Sequence, residues 1–244
     1  MRKQRSVKQY KIGAVCRFPS QTGTPDEGKK IFSLNDITWR IFRIMAEFVE
    51  GFELLSTTKK EISIYGSTRA KQGSPPYEEA RKLGRLLGKA GYTVITGGGP
   101  GIMEAGNRGA YEAGAESIGL NIQLPKEQRT NPYITKSHGF HYFFSRKVML
   151  AASAQAYVFC HGGVGTLDEF LEILTLIQTK KMQRVPVICL GKEFWLPIVD
   201  GIFKKHLYDK YKTISPEDLA LITVVDSAQE AFAIIRRTKE RTIF

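Results

Sequence analysis

Short runs of apolar, often β-branched residues recur along this chain from residue 61 onward, and stretches with helical periodicity separate them. The runs lie at 62–65, 93–96, 117–122, 157–160, 185–190 and 221–225, and a helical pattern follows each of them. The first of these helical stretches covers about 76–90. Strands that alternate with helices predict an α/β domain with a parallel sheet and helices on both faces.

The residues before this alternation have a different character. Prolines and glycines are scattered through polar residues in 1–32, which predicts an extended or disordered segment. Residues 33–60 carry a helix with Ser33 or Asn35 as its cap, and its apolar stripe consists of Ile41, Met45, Phe48 and Phe52. We expect this helix to cover the core of the domain formed by 61–244, with packing on a partner subunit as the alternative.

A glycine-rich turn follows the fourth predicted strand. Gly162, Gly163 and Gly165 leave backbone N–H groups uncovered by side chains, and a helix begins near Thr166. This arrangement forms a site for an anion, because free N–H groups and the positive end of the helix dipole face the turn. Thr166 and Glu169 also have the spacing of a capping box, so an ordinary strand-to-helix turn is the competing interpretation.

The same pattern occurs upstream, after the second predicted strand. A run that includes Gly98 and Gly99 is followed by Pro100 and by a helix whose first turn contains Met103 and Glu104. Neither turn fits the dinucleotide-binding fingerprint or the P-loop, which disfavours NAD binding and ATP hydrolysis. Because both turns lie at the carboxyl ends of parallel strands, we expect them to open onto one cleft.

Two more segments place polar side chains near the same edge. Gly66 and Ser67 follow the first strand, where the hydroxyl can bind phosphate or ribose, although an ordinary loop would also fit. Arg146 and Lys147 begin a helix, where positive charges oppose the helix dipole. An anionic substrate or Glu169 would compensate for these charges, and the alternative is a pair of solvated side chains.

The segments at 97–105, 145–149 and 162–169 resemble, in this order, the motifs of the LOG family, Rossmann-like phosphoribohydrolases that are often labelled lysine decarboxylases. The resemblance covers most of the chain, from about residue 61 to residue 235. It implies a Rossmann-like, doubly wound parallel sheet that cleaves the N-glycosidic bond of a nucleoside 5′-monophosphate. The substrate would be AMP or a cytokinin riboside 5′-monophosphate, and the products would be the free base and ribose 5-phosphate.

By the same resemblance, Arg146 orients the nucleotide and balances a carboxylate, and Glu169 polarises water or stabilises positive charge on the sugar. The residues expected to bind substrate are Gly66, Ser67, Gly98, Gly99, Met103, Glu104, Lys147, Gly162, Gly163, Gly165 and Thr166. The candidates for the wall around the base are Met103, Met149 and Phe144. His161 replaces the usual proline of the family and is either a donor to the substrate or a neutral substitute. The family also implies a homodimer or higher homo-oligomer and no cofactor.

Composition limits other classes of function. The net charge is +12, but residues 1–11 hold five basic residues and no acid, and 236–244 hold four against one. Because the termini hold most of the excess, a small phosphorylated substrate suits the body better than nucleic acid. His138 and His141 lie in a predicted loop without a third ligand, so we expect no metal site. Three cysteines, no membrane-span run and no signal peptide predict a cytoplasmic protein with reduced thiols and no membrane contact.

Three other functions stay open on the sequence alone. A noncatalytic nucleotide or cofactor carrier with the same fold would keep the glycine turns and need neither Arg146 nor Glu169. A nucleic-acid-binding protein would use the basic termini and bind in a strongly salt-dependent way. A pyridoxal-phosphate decarboxylase, which the older label of the family suggests, needs a reactive lysine, and no feature of the sequence singles one out.

Overall fold

The computed structural model describes residues 34–122, 130–152 and 154–241, with side chains described from residue 37 onward. The segment predicted to be extended, 1–32, and the candidate cap Ser33 lie outside the described residues. The described residues from 40 onward belong to one compact unit. Of the unit formed by residues 1–39, only the first turns of the N-terminal helix are described.

Strands and helices alternate through the described residues. The strands are β1 (Glu61–Tyr65), β2 (Thr93–Thr96), β3 (Ser117–Ile122), β4 (Lys136–Phe140), β5 (Ala156–Phe159), β6 (Val187–Leu190) and β7 (Ile222–Val225). The helices are α1 (Leu34–Ser56), α2 (Pro75–Lys89), α3 (Ile102–Glu112), α4 (Phe143–Ala152), α5 (Val164–Gln178), α6 (Lys192–Ile198), α7 (Pro216–Leu219) and α8 (Ala228–Ile235). A π-helix, Val199–Lys210, continues α6. None of the described helices is long and apolar enough to cross a membrane.

All seven strands pair in parallel in one sheet with the order β4-β3-β2-β1-β5-β6-β7. This topology confirms the predicted Rossmann-like, doubly wound α/β fold. The strand order reverses between β1 and β5, which is the point where such sheets bind ligands. Both glycine turns follow strands that neighbour β1, so the topology places them on either side of this switch point.

The sheet buries a hydrophobic cluster on each face. Tyr65 and Phe159 point to one face, where their rings stack at 4.8 Å and join a cluster that includes residues of α4 and α5. Ile64 and Val158, one position earlier on the same strands, point to the other face and pack with residues of α2, α3 and α8. Because side chains alternate along a strand, nearly continuous apolar runs such as β1 and β5 require helices on both faces.

The hydrophobic pattern predicts no strand at β4 and places His138 in a loop, and both predictions are wrong. β4 is an edge strand that pairs only with β3 among the described strands, and Phe140 alone of its five residues is buried. Its backbone pairs with β3, while Lys136 and His138 remain partly accessible. A strand with one covered edge and a largely polar sequence lacks the apolar run on which the prediction depends.

Helix α1 faces the core with different residues from those predicted. It begins at Leu34, so Asn35 lies within the helix and does not precede it as a cap. Phe48 packs against the core as expected, but Ile41 and Met45 are 50% and 57% exposed, so the prediction that the whole stripe covers the core is wrong. The buried positions of the helix are Glu47, Gly51 and Leu55.

Candidate functional site

Ser67 joins the two glycine turns at the carboxyl edge of the sheet. Its N–H donates to the carbonyl oxygen of His161 at 3.0 Å, and its own carbonyl oxygen accepts from the N–H of Ile102 at 3.0 Å. The loop after β1 therefore contacts the turn between β5 and α5 on one side and the turn between β2 and α3 on the other. The glycine turns are neighbours at one edge, as expected for a shared cleft.

The turn between β5 and α5 is open to solvent. Gly163 precedes the first turn of α5, and neither it nor Gly165 has any described atom within 4 Å of the place where a side chain would begin. Gly162 is packed instead, because a Cβ there would clash with the hydroxyl of Thr166. The competing interpretation, a capping box, is wrong: Thr166 lies within α5, no described side chain caps the helix, and Glu169 is buried. Uncovered N–H groups at this helix start remain suited to an anion.

The turn between β2 and α3 is fixed by buried amides. Gly98 has a φ of +72°, a conformation that favours glycine, and its N–H donates to Oγ1 of Thr96 at 2.9 Å. The carbonyl oxygens of Gly98 and Gly99 accept from Nδ2 of Asn131 at 3.2 and 3.1 Å. Asn107 Oδ1 accepts from both Thr96 Oγ1 and Asn131 Nδ2, which closes the network. Nothing local in the sequence points to either asparagine, because asparagine is common in loops and helices without such a role.

Glu169 carries a buried carboxyl group beside the open turn. The residue is 6% exposed, and Oε2 makes no hydrogen bond to the described residues. Burial raises the pKa of Glu169 to about 7; the charges of Glu172 and Asp168 add to this effect, while Lys147 and Arg146 oppose it. A carboxyl group that titrates near neutral pH can exchange a proton during a reaction, so Glu169 has the property of a general acid or base.

Arg146 reaches the turn between β2 and α3 from α4. Its Nε donates to the carbonyl oxygen of Leu120 at 2.7 Å, and a Cβ on Gly97 would clash with Nη2. Burial lowers the pKa of Arg146, while the charge of Glu169 raises it, and the group stays cationic at neutral pH. Within the described residues no ion pair joins Arg146 to Glu169. Each charge nevertheless acts on the other: that of Glu169 raises the pKa of Arg146, and that of Arg146 lowers the pKa of Glu169.

Lys147, the neighbour of Arg146, is held by carboxylates of α5. Its Nζ lies 2.6 Å from Asp168, 3.0 Å from Glu172 and 3.7 Å from Oε1 of Glu169. Burial lowers the pKa of Lys147, but hydrogen bonds to Asp168 and Glu172 raise it more, so the net shift is upward. Lys147 therefore connects α4 to α5 as a firmly protonated cation beside Glu169.

Two predicted binding residues of α3 have different surroundings. Met103 lies at the turn, where a Cβ on Gly97 would stand 2.8 Å from its Sδ. Glu104 is bound by residues of α2 and of the loop before it. Its Oε1 accepts hydrogen bonds from Nε2 of Gln72 at 2.6 Å and from the hydroxyl of Tyr77 at 2.9 Å. The structure thus brings Met103 to the cleft and gives Glu104 a contact that ties α3 to α2.

The remaining predicted positions divide between the cleft and the core. Gly66 directly follows β1 and lies against Ile102, whose side chain would clash with a Cβ there. Met149 is fully buried and packs against Gly51 of α1, so this candidate for the wall around the base lies in the core, as methionines at helical spacing more often do. Phe144 is 45% exposed at the start of α4. Met149 lies about one helical turn after Arg146, on the face of α4 that packs on the core.

His161 lies beside the open turn in a poorly hydrated position. Its ring centroid is 6.1 Å from that of Phe194, and Nδ1 is buried without a hydrogen bond to the described residues. Burial lowers the pKa of His161, so the ring is neutral at physiological pH. Among the described residues no group of three potential ligands could hold a metal ion, and the described cysteines, Cys160 and Cys189, are buried free thiols.

Glu47 of α1 is a site-forming residue that no local sequence pattern indicates. Its carboxylate accepts hydrogen bonds from the N–H of His141 at 2.6 Å, from the N–H of Tyr142 at 3.3 Å and from the hydroxyl of Ser145. It therefore caps the N-terminus of α4, the helix that carries Arg146. A negative charge at this end stabilises the helix dipole, which basic residues at the helix start would otherwise destabilise. The carboxylate that compensates for the basic residues at the start of α4 is thus Glu47. The sequence had predicted that the substrate or Glu169 would have this role.

The cap predicts a measurable loss of stability. Glu47→Ala leaves the N–H groups of His141 and Tyr142 without this acceptor and removes one of the two acceptors of the Ser145 hydroxyl. We expect it to lower the free energy of unfolding by about 2–4 kcal/mol. Urea denaturation followed by circular dichroism measures this difference. Glu53→Ala removes an exposed carboxylate from the same helix and should change stability by less than about 0.5 kcal/mol. Equal stability of the two variants would contradict the capping role.

Comparison with known proteins places this geometry in a family context. Residues 103–235 match the family model described as possible lysine decarboxylase. Cytokinin riboside 5′-monophosphate phosphoribohydrolase LOG of Oryza sativa subsp. japonica is 31% identical over 155 residues, which cover 61% of this chain and 59% of that protein. The corresponding enzyme of Rhodococcoides fascians is 23% identical over 73% of this chain and 90% of its own. The molybdenum cofactor carrier protein of Chlamydomonas reinhardtii has the same fold, with a TM-score of 0.54, 23% identity and coverage of 73% and 98%.

Proposed function

Because this chain belongs to the LOG family, the family of the possible lysine decarboxylase model, we propose that it is a nucleoside 5′-monophosphate phosphoribohydrolase. The substrate is AMP or a cytokinin riboside 5′-monophosphate, and the products are the free base and ribose 5-phosphate. The observation that carries the proposal is the buried carboxyl group of Glu169, which has a pKa of about 7 and lies one helical turn from the open glycine turn.

Each part of the cleft supplies one requirement of this reaction. The N–H groups of the turn at 162–165 and the start of α5 bind the 5′-phosphate. Glu169 in its ionised form accepts a proton from the attacking water or stabilises positive charge on the sugar as the bond to the base breaks. Arg146 orients the nucleotide and limits the rise in the pKa of Glu169. Lys147 holds α4 and α5 at the spacing that brings these two groups together.

The bond changes are those of a hydrolysis. The bond between C1′ of ribose and N9 of the purine breaks, and its electron pair leaves with the base. The oxygen of water forms a new bond to C1′. One proton of the water stays on the new hydroxyl group and the other is transferred, with Glu169 as its acceptor, and the base takes up one proton in exchange.

A noncatalytic carrier of a phosphorylated cofactor is the alternative, because a molybdenum cofactor carrier shares the fold. Such a protein needs the open glycine turns and has no use for a buried carboxyl group that titrates near pH 7. A decarboxylase that forms a Schiff base needs a lysine with a lowered pKa. Lys147, the lysine beside Glu169, has a raised pKa and two carboxylate partners, which supports hydrolysis instead.

Base release distinguishes these functions directly. The full chain is incubated with AMP, GMP, IMP and N6-isopentenyl-AMP, and chromatography separates free base from nucleotide. Appearance of free base together with ribose 5-phosphate in equal amounts supports the proposal. Binding of the nucleotides without any free base, measured by calorimetry on the same samples, would support the carrier instead.

The proposal includes a homodimer in which α1 packs on a second copy. Ile41, Met45 and Val49 are 50%, 57% and 66% exposed and follow one another at four-residue spacing, so they form one apolar stripe on the outer side of the helix. Met45→Glu combined with Val49→Glu should lower the mass in solution from that of a dimer to that of a monomer in light scattering. Glu53→Ala is the control on the same helix. A wild-type chain that is monomeric at tens of micromolar would contradict the dimer.

A further inference from the structure

Asn121 at the end of β3 has a buried amide that finds no partner in the part of the chain that the structure describes. The residue is 7% exposed, and neither Oδ1 nor Nδ2 makes a hydrogen bond to the described residues. A buried amide normally finds partners, because an unsatisfied one destabilises the fold. The two nearby asparagines Asn107 and Asn131 follow this rule and are bonded to one another and to their surroundings. Asn121 is the exception, and its position explains what it could bind.

The amide of Asn121 lies against the turn between β2 and α3. A Cβ on Gly98 would stand 2.6 Å from Nδ2, and a Cβ on Gly119 would stand 2.9 Å from Oδ1, so two glycines make room for this group. Arg146 lies against Gly97, the preceding residue of the same turn, and bonds the carbonyl oxygen of Leu120 beside Asn121. The amide and the guanidinium therefore flank consecutive residues of one turn.

The sheet sets the distance between this amide and the open turn after β5. Three strand spacings separate β5 from β3 in the order β3-β2-β1-β5, and neighbouring strands lie about 4.8 Å apart, which gives roughly 14 Å. An extended nucleoside monophosphate spans about this distance when a hydrogen bond of about 2.9 Å is added at each end. If its phosphate lies on the turn after β5 and its sugar beside Glu169 and Arg146, its base extends toward Asn121.

We propose that Asn121 is a specificity-determining residue that binds the base of the nucleotide, an inference that rests on the proposed function above. The amide of asparagine matches the 6-amino group and N7 of adenine, with Oδ1 accepting from the amino group and Nδ2 donating to N7. A purine with a substituent on N6 keeps one N–H for the same contact. Donation to N7 also stabilises the electron pair that the purine retains when its bond to C1′ breaks. The substrate class is therefore 6-aminopurine nucleoside monophosphates, with or without an N6 substituent.

Asn121→Leu tests this assignment, because leucine has a similar volume and no hydrogen-bonding group. We expect kcat/KM for AMP to fall about 10- to 100-fold, the effect of losing a bidentate contact to a base. For IMP, whose 6-oxo group cannot donate, and for 7-deaza-AMP, which lacks the N7 acceptor, the fall should be less than about 3-fold. A purely structural role would lower kcat/KM for every substrate by the same factor, and that result would overturn the assignment.

The exposed amide of Gln183 provides the matched control. Gln183 lies between α5 and β6, at the amino end of the strand and thus at the edge of the sheet opposite the cleft. Gln183→Leu replaces a side-chain amide by the same apolar group as Asn121→Leu does. It should leave kcat/KM for all three nucleotides unchanged.

Two further measurements separate this inference from the proposed function. Calorimetry with AMP and with ribose 5-phosphate is done in the Glu169→Gln background, where slow turnover lets it report binding, and Asn121→Leu should weaken binding of AMP alone. If the wild-type chain releases no base but binds AMP more tightly than the variant does, the hydrolase proposal fails and the assignment of Asn121 holds. Equal affinity of both proteins for AMP would overturn the assignment, whatever the activity. Urea denaturation should find the variant at least as stable as the wild type, because the substitution removes an unsatisfied buried amide.

Discussion

Glu169→Gln should lower kcat for release of adenine from AMP by about 10²- to 10⁴-fold, the range expected for loss of a general acid or base. Glutamine keeps the shape of the side chain and removes its ability to ionise. Rates are measured by chromatography of free base under saturating AMP. Glu193→Gln, an exposed position at the start of α6, is the control and should retain the wild-type rate. A folded Glu169→Gln variant with near-normal turnover would contradict the catalytic role of Glu169 in the proposed hydrolysis.

The same variant tests the pKa of Glu169. If the reaction needs the carboxylate, kcat/KM of the wild type should rise with pH and level off above about 7, where Glu169 is ionised. This limb should be absent from the profile of Glu169→Gln, whose remaining pH dependence comes from other groups, including the phosphate of AMP with its pKa near 6.

The free energy of unfolding of the wild type should fall as pH rises, whereas kcat/KM rises. The pKa of Glu169 is about 7 in the folded chain against an ordinary value of 4.5, so folding favours the protonated form. Ionisation therefore destabilises the wild type as pH rises from about 4.5 to about 7, and glutamine is free of this effect. Relative to the wild type, Glu169→Gln should gain up to about 3 kcal/mol between pH 5 and pH 8. Urea denaturation at the two pH values measures the gain, and an unchanged difference would contradict the raised pKa.

Arg146→Met should lower kcat/KM for AMP by about 10²- to 10³-fold, the usual effect of removing a charged donor from a reaction centre. Arg146→Lys keeps the charge but loses the hydrogen bond from Nε to Leu120, so it should recover only part of the activity. Arg85→Lys, at an exposed position of α2, is the matched control. A folded Arg146→Met variant within about 3-fold of the wild type would exclude Arg146 from the site.

The Arg146 variants also report on the electrostatic link to Glu169. The positive charge of Arg146 holds the pKa of Glu169 below the value that burial alone would produce. Its removal should raise that pKa further, so the limb of the kcat/KM profile should move to higher pH in Arg146→Met and stay in place in Arg146→Lys. A shift of equal size in both variants would point to a change in geometry and not in charge.

Much of this arrangement follows from local sequence. The alternation of apolar runs and helical periods predicts six of the seven described strands, with ends that differ by at most two residues. The glycine turns lie where the sequence predicts them, because a glycine run between a strand and a helix is a local pattern. The resemblance to the LOG family selected Arg146 and Glu169, and the structure places both beside these turns.

Tertiary packing decided the rest, because the partners of buried polar groups are distant in sequence. Glu47 caps a helix that begins 96 residues later, and Asn131 holds a turn 33 residues before it. The strand β4 forms through backbone pairing with β3 and not through an apolar run. Thr166 and Glu169 have the spacing of a capping box, but the residues that pack around α5 bury Glu169. This burial raises its pKa. Sequence determines which elements form and which residues stand at their ends, whereas burial and charge, and with them the chemistry of a carboxyl group, depend on neighbours that only the folded chain brings together.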